Sequence, residues 1–302
     1  MNADSYLQEI LKQQTLKEDS TEIKELIRHR NEVEALIINE FANSSPTIDF
    51  GGSHAKGTMI KANFDIDIVS YFPHDDTEPG DSLKEIFKSV SELLSQNYTV
   101  REGTSALRLQ SKDSITLGRD FHIDVVPGRW VDDEGGDSYL HVNKGPKNWL
   151  KTNLRKHIDY VAKSKAIDTI KLAKFWNYQA GLKIKTFVLE LMVIDALNGT
   201  DELALGSAEA MKKFWLYLKD NRDTLRAEDP ANPTGNDLSG LIEEIRYTIC
   251  DAAEDALEHC SENDWCKIFG KLETDTDIPR ISILSSTANA YAQTAAKPWG
   301  VG

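Results

Sequence analysis

The sequence predicts an α+β protein, a lobe built on a mixed sheet followed by a helical lobe, on three observations. Between 21 and 43 the apolar residues Ile23, Leu26, Ile27, Val33, Ile37 and Phe41 recur near the helical period among charged residues, the pattern of an amphipathic helix. From 47 to 126 the chain turns to short, β-branched segments bounded by polar turn residues, which read as strands. Beyond Pro146 the periodicity is almost wholly helical. Strands gathered first and helices gathered later give an α+β arrangement.

The elements follow in order. The helix over 21–43 acts as a long spine and stops at Asn43-Ser44-Ser45-Pro46, a cluster of helix-ending residues. Strands are predicted over 47–50, 63–72, 98–102, 106–110, 114–117 and 121–126, with one helix over 83–96 among them. Helices over 159–179, 186–198, 209–220 and 238–258 compose the second lobe. The expected division is 1–150 for the sheet lobe with its spine helix, 151–284 for the helical lobe, and 285–302 for a mobile tail rich in Ser, Thr, Ala and Gly.

One stretch carries chemistry. In Gly51-Gly52-Ser53-His54-Ala55-Lys56-Gly57-Thr58, two glycines let the backbone turn sharply and come close to a ligand. The residues after Ser53 can open a short helix whose free N–H groups suit a phosphate. Downstream, the period-two pattern of a strand sets Asp65 and Asp67 on one face, with Ile66 and Ile68 on the other. Two adjacent acids repel unless a cation joins them, and Mg²⁺, with Mn²⁺ as substitute, is the usual answer where phosphate is handled. A third carboxylate is supplied by Phe121-His122-Ile123-Asp124-Val125-Val126-Pro127, because a lone acid in an apolar strand is costly without a partner. Asp65, Asp67 and Asp124 are therefore the candidate catalytic and metal-holding residues, Gly52 and Ser53 the candidate phosphate contacts, and nucleotidyl transfer the expected chemistry.

Composition narrows the partners. Among 302 residues, 35 Lys and Arg face 49 Asp and Glu, a net charge of −14, which disfavours a broad surface for duplex RNA or tRNA and favours small nucleotides. No run reaches the length of a membrane span, and the acidic start with Asp4, Glu9 and Glu18 lacks the features of a signal peptide. A cytoplasmic location is expected. Cys250, Cys260 and Cys266 contain no Cys-x-x-Cys pair even with His259 beside them, so they read as core thiols rather than zinc ligands. His54 and His122 read as structural, and the acidic, glycine-containing loop 132–137 as solvated.

The Gly-Gly-Ser run followed by Asp65-Ile66-Asp67-Ile68-Val69 resembles the signature of the polymerase-beta-like nucleotidyltransferases, especially the oligoadenylate synthases and the bacterial cyclic-oligonucleotide synthases called CD-NTases. Ile123-Asp124-Val125-Val126-Pro127-Gly128 is similar to the third-acid strand of the bacterial branch. Lys171-Leu172-Ala173-Lys174-Phe175-Trp176 resembles the helix whose lysine reaches the donor triphosphate, which implies that role for Lys174. Lys185-Thr186-Phe187-Val188-Leu189-Glu190 resembles the next helix, where Thr186 stands in place of the family's serine and keeps its hydroxyl. The turn Asp229 to Asn236 is similar to one in oligoadenylate synthases but carries Asn232 in place of an acid, so it is assigned no catalytic task.

The resemblance implies a polymerase-beta-like lobe, a helical C-terminal lobe and a site in the cleft between them. It also implies synthesis of a cyclic di- or trinucleotide messenger from ATP and possible further nucleoside triphosphates. Antiphage signalling, a downstream effector that binds the product, and conjugation or a regulatory partner at the terminal Gly302 follow from the same source. Two other classes stand beside it: a transferase acting on tRNA ends or another acceptor, and a catalytically inactive nucleotide-binding scaffold.

Overall fold

The computed structural model describes residues 1–112, 123–132, 134–144, 147–232, 236 and 238–273. The predicted strand over 114–117, His122, the tail over 285–302 and Gly302 lie outside the described residues. Through Thr152 the elements run α1 (Ala3–Gln14), α2 (Thr21–Glu40), β1 (Thr47–Phe50), α3 (Gly52–Ala55), β2 (Ile66–Phe72), α4 (Leu83–Ser95), β3 (Tyr98–Glu102), β4 (Leu107–Ser111), β5 (Ile123–Trp130), β6 (Ser138–His141) and β7 (Trp149–Thr152). There follow α5 (Leu154–Lys163), α6 (Ile167–Gln179), α7 (Thr186–Leu197), α8 (Glu202–Leu205), α9 (Ser207–Asp220), α10 (Gly240–Glu243), α11 (Arg246–Ser261) and α12 (Trp265–Phe269). The expected α+β class with a mixed sheet is what the chain adopts.

The chain divides into two compact units. The sheet unit comprises Lys17–Ala55 and Asp65–Lys156. Its strands run β1-β2-β5-β4-β3, with β6 and β7 continuing from β5. Only the β2–β5 pairing is parallel; β1–β2, β3–β4, β4–β5, β5–β6 and β6–β7 are antiparallel. All seven residues of β2 are buried, which explains its near-continuous apolar run. The helices present Ile23, Leu26, Val33 and Ile37 of α2 and Ile86, Phe87, Val90 and Leu94 of α4 to the same core. A capping box between Ser82 and Glu85 fixes where α4 begins.

The helical unit comprises Met1–Leu16, Lys56–Phe64 and the described residues from 157 to 273. Its centre is α7, buried at ten of its twelve positions, so no face of it reads as amphipathic. Trp176, Phe214, Trp215, Trp265 and Phe269 form an aromatic cluster with ring centroids about 6 Å apart. Helix α1, which the sequence reading did not place, joins this unit by burying Tyr6, Leu7, Ile10 and Leu11. The Asp4 carboxylate also accepts a hydrogen bond from the Ala208 N–H at 2.9 Å. The predicted division had assigned α1 and 56–64 to the sheet lobe.

Other boundaries differ for identifiable reasons. The helix expected over 159–179 is two, because Lys165 takes φ +54 and the Ser164 hydroxyl donates to the Val161 carbonyl at 2.6 Å, ending α5. The helix expected over 238–258 is likewise divided, into α10 and α11. Strand β2 spans Ile66–Phe72, so Asp65 enters just before it.

Candidate active site

The parallel register of β2 and β5 sets Asp67 directly beside Asp124, and residues paired across a sheet project to the same face. Asp65, two residues earlier on β2's approach, completes the group. One carboxylate oxygen from each of Asp65, Asp67 and Asp124 lies within 4.8 Å of the others. Asp67 and Asp124 are 4% and 1% exposed, while Asp65 is half-buried. Among the described residues this is the only cluster of three potential metal ligands. An all-carboxylate set, without nitrogen or sulfur, suits a hard cation such as Mg²⁺ or Mn²⁺.

The glycine turn is built onto this group. The Gly51 N–H donates to the Asp67 carbonyl at 2.8 Å. Gly52 adopts φ +58, and a Cβ placed on it would sit 1.5 Å from Oδ2 of Asp67. Only glycine fits there, on both conformation and space. Ser53 and His54 follow in α3, half-buried, and the His54 ring lies against Phe50 with centroids 4.5 Å apart. Burial pulls the His54 pKa down.

The site contains a cation that the sequence reading missed. The antiparallel register of β4 and β5 sets Arg108 opposite Asp124. Its Nε donates to Oδ1 at 3.0 Å and an Nη to Oδ2 at 2.9 Å, the two-pronged geometry of a strong charge-assisted pair. These hydrogen bonds hold the guanidinium pKa above its ordinary value against the opposing effect of burial, and the charges of Asp124, Asp65 and Asp67 add to the rise. The available signal was an arginine between Leu107 and Leu109 in a strand, both of which are fully buried.

The two candidates in the helical unit have different surroundings. Lys174 is 5% exposed. Its ammonium lies 2.6 Å from Oε1 of Glu190 and donates to the carbonyl and hydroxyl oxygens of Thr58 at 3.1 and 2.9 Å. Lys56 pairs with the other oxygen of Glu190, and the Thr58 hydroxyl donates to Oε1 at 2.8 Å. Burial alone would raise the Glu190 pKa, but Lys174 and Lys56 outweigh it and hold it well below the carboxylate range. Lys56, read as part of a phosphate-facing turn, is thus an internal strut. Thr186 is exposed at the first position of α7. Lys185, just before it, is half-buried, and burial lowers its pKa. Asn177 fixes this corner by bonding both the N–H and the carbonyl of Ile184, at 3.0 and 3.2 Å.

The described residues of the turn that begins at Asp229 are tied together by hydrogen bonds. Asp229 is fully buried, and its carboxylate receives His157 Nε2 at 2.7 Å, the Ala231 N–H at 2.8 Å and the Asn236 side chain at 2.6 Å. Burial raises its pKa, but these partners, His157 foremost, prevail and lower it. The three cysteines are free, Cys250 buried, Cys260 half-buried and Cys266 exposed. No helix among the described residues is long and apolar enough to cross a membrane.

Comparison with known proteins gives a consistent picture. Residues 1–164 match the family model for the Second Messenger Oligonucleotide or Dinucleotide Synthetase domain. Cyclic AMP-AMP-AMP synthase of Escherichia coli (strain MS 115-1) is 24% identical over 273 residues, covering 72% of this chain and 80% of that protein. The structure of E. coli MS115-1 CdnC in complex with HORMA-deltaN superposes with a TM-score of 0.69 at 17% identity, covering 91% and 98% of the two chains. The CD-NTase CdnG of Bradyrhizobium diazoefficiens, in complex with GTP, gives 0.68 at 13% identity, covering 88% and 95%. These structural likenesses establish a shared fold.

Proposed function

The chain belongs to the Second Messenger Oligonucleotide or Dinucleotide Synthetase family, bacterial CD-NTases that are nucleotidyltransferases making cyclic oligonucleotide messengers, and from its acid site we propose a Mg²⁺-dependent synthase. It joins ATP, alone or with a second nucleoside triphosphate, into a cyclic di- or trinucleotide and releases pyrophosphate. The observation that carries this reading is the convergence of Asp65, Asp67 and Asp124 within 4.8 Å, beside a glycine turn that touches Asp67. ATP as the substrate is supported by the product named for the E. coli relative.

Asp65 and Asp67 would hold the ion that accompanies the donor triphosphate, and Asp124 would join them around a second. Mg²⁺ held by these acids would supply the charge that lowers the pKa of an acceptor hydroxyl and offsets charge on pyrophosphate. Asp124 orients that hydroxyl and takes its proton, for which its fixed, buried position is suited. The side-chain-free backbone at Gly52 and the Ser53 hydroxyl serve the triphosphate. Thr186 offers a second hydroxyl, and Lys174 contributes positive charge; both assignments rest on the family resemblance. Lys174 reaches phosphate directly only if its pairing with Glu190 and Thr58 opens.

The regulatory setting is inferred more broadly. One structural relative was solved with HORMA-deltaN, which supports a protein regulator for this enzyme as well. Conjugation at Gly302, an effector that reads the product, a cytoplasmic site of action and a role in antiphage signalling complete the proposal.

The test is incubation of the purified protein with labelled ATP, singly and mixed with GTP, CTP and UTP, with Mg²⁺ or Mn²⁺, followed by phosphatase treatment and mass analysis. The control is the Asp65→Ala, Asp67→Ala double variant. A phosphatase-resistant oligonucleotide made only by the wild type is the expected result. Label transferred instead to tRNA or to a lysate protein would assign an acceptor transferase. A cellular function unaffected by Asp67→Ala would assign a scaffold.

A further inference from the structure

Asp124 is the most enclosed of the three acids, and both of its oxygens are already engaged. Arg108 takes Oδ1 and Oδ2 together, at 3.0 and 2.9 Å, from the neighbouring strand. The two residues are register partners on β4 and β5. The Arg108 side chain is 23% exposed, that of Asp124 2%, so the carboxylate is the more enclosed of the pair. The oxygens that Arg108 holds are the ones the third acid would lend to a cation. Arg108 sets a positive charge against the three clustered carboxylates and so relieves part of their repulsion.

We propose that Arg108 is a positioning residue that competes with a divalent ion for Asp124: it holds the carboxylate by both oxygens, and it yields one of them when the ion arrives with a triphosphate. This rests on the nucleotidyltransferase reading above. The guanidinium suits the task because its planar fork can surrender one hydrogen bond and keep the other. Asp124 would then stay in a fixed orientation in both states. Lysine, a point charge on a flexible stem, supplies the charge without the fork. The consequence is ordered loading: ion affinity is weak until a triphosphate adds its own oxygens, which protects the site from filling unproductively.

The experiment measures Mn²⁺ binding directly, by electron paramagnetic resonance and calorimetry on the full chain, with and without a non-hydrolysable ATP analogue. The wild type is expected to bind Mn²⁺ weakly alone and much more tightly with the analogue. Arg108→Met, with the competing cation removed, should bind Mn²⁺ about tenfold more tightly without nucleotide, the scale of one charge-assisted hydrogen bond. Arg108→Lys should fall between them in affinity and lose turnover at saturating ion, because Asp124 is no longer held by a fork. It also provides a folded comparison if Arg108→Met is unstable. Nucleotide-free affinity that is unchanged or weaker in both variants overturns the proposal while leaving the enzyme reading intact. Failure of the wild type to bind Mn²⁺ under either condition overturns both.

Discussion

The protein buries two ionic clusters, one in each unit, and they are balanced in opposite directions. In the sheet unit Asp65, Asp67 and Asp124 crowd together, with Arg108 bound to Asp124. Among the described residues, three carboxylates lie beside one bound guanidinium. In the helical unit a single carboxylate, Glu190, lies between two lysines, Lys56 and Lys174. There, among the described residues, one negative charge meets two positive, and the Thr58 hydroxyl also donates to Glu190. The contrast separates two uses of buried charge. A cluster whose members satisfy one another ties elements together, here α6, α7 and the segment after the glycine turn. A cluster left anionic keeps its repulsion until something arrives from outside to relieve it.

The largest expected effect comes from breaking the anionic cluster. Asp67→Asn removes one of three clustered carboxylates. Turnover should fall by about 10³-fold or more, the scale of losing a transition-state charge stabiliser. The thermal midpoint should hold or rise, since a repelling carboxylate has gone. Steady-state rates with ATP and calorimetric melting check the pair. A variant that loses activity because it melts early would show that Asp67 is structural.

Glu190→Gln does the reverse in the other cluster. It keeps the size but takes from Lys56 and Lys174 the carboxylate they share, and it turns one acceptor oxygen into a donor amide. Breaking such a buried pair from one side costs about 3–5 kcal/mol, a loss readable as an early transition in urea. Lys174→Met should be milder, because Lys56 still neutralises Glu190. Equal stability of Glu190→Gln and the wild type would mean that the two lysines find water.

This contrast also explains what the sequence disclosed. Asp65 and Asp67 were legible because both lie on one short segment, where period-two spacing fixes their common face. Asp124 was legible because an acid in Ile123-Asp124-Val125-Val126 breaks an otherwise apolar strand. Arg108 was not, because its partner sits 16 residues away and the pairing depends on the register of β4 with β5. The Lys56–Glu190 pair spans 134 residues, and no local pattern carries it. Family resemblance marked Lys174 as a phosphate contact, but local sequence could not show that its ammonium is already held. Boundaries failed where a single residue decided them: Lys165 at φ +54 split a helix whose apolar period ran straight on. Helix α1 was missed because its apolar face is short and its anchor is tertiary.

Acid should reach the helical unit through its buried carboxylates. Glu190 and Asp229 both have folded pKa values below their unfolded ones. The stability they contribute is present above the unfolded carboxylate range, near pH 4, and is lost as pH falls through the lower folded values. Trp176, Trp215 and Trp265 report on this unit, being 2%, 0% and 4% exposed. Their fluorescence should stay constant from neutral pH down to about pH 4 and shift to the red below it. The slope should be shallower in Glu190→Gln, which has one fewer group to protonate. A red shift already present near pH 6 would show that groups other than these carboxylates control the unit.

The finest comparison lies inside the glycine motif. Gly52 and Gly57 share a left-handed backbone, φ +58 and +68, so alanine at either position meets similar conformational strain, about 1 kcal/mol. Their surroundings differ. An added Cβ at Gly57 meets nothing within 4 Å, whereas at Gly52 it falls 1.5 Å from Oδ2 of Asp67. Gly57→Ala should therefore lose about 1 kcal/mol in denaturant titration and keep its turnover within a few-fold. Gly52→Ala should lose the same and more, and because the acid must move aside, its turnover should fall by about 10²-fold, as for a misplacement of about 1 Å at a reacting centre. Since the strain is common to both, the difference in turnover isolates the contact between the turn and the acid. Equal turnover in the two variants would show that the turn serves only to reverse the chain and that Asp67 has room to work without it.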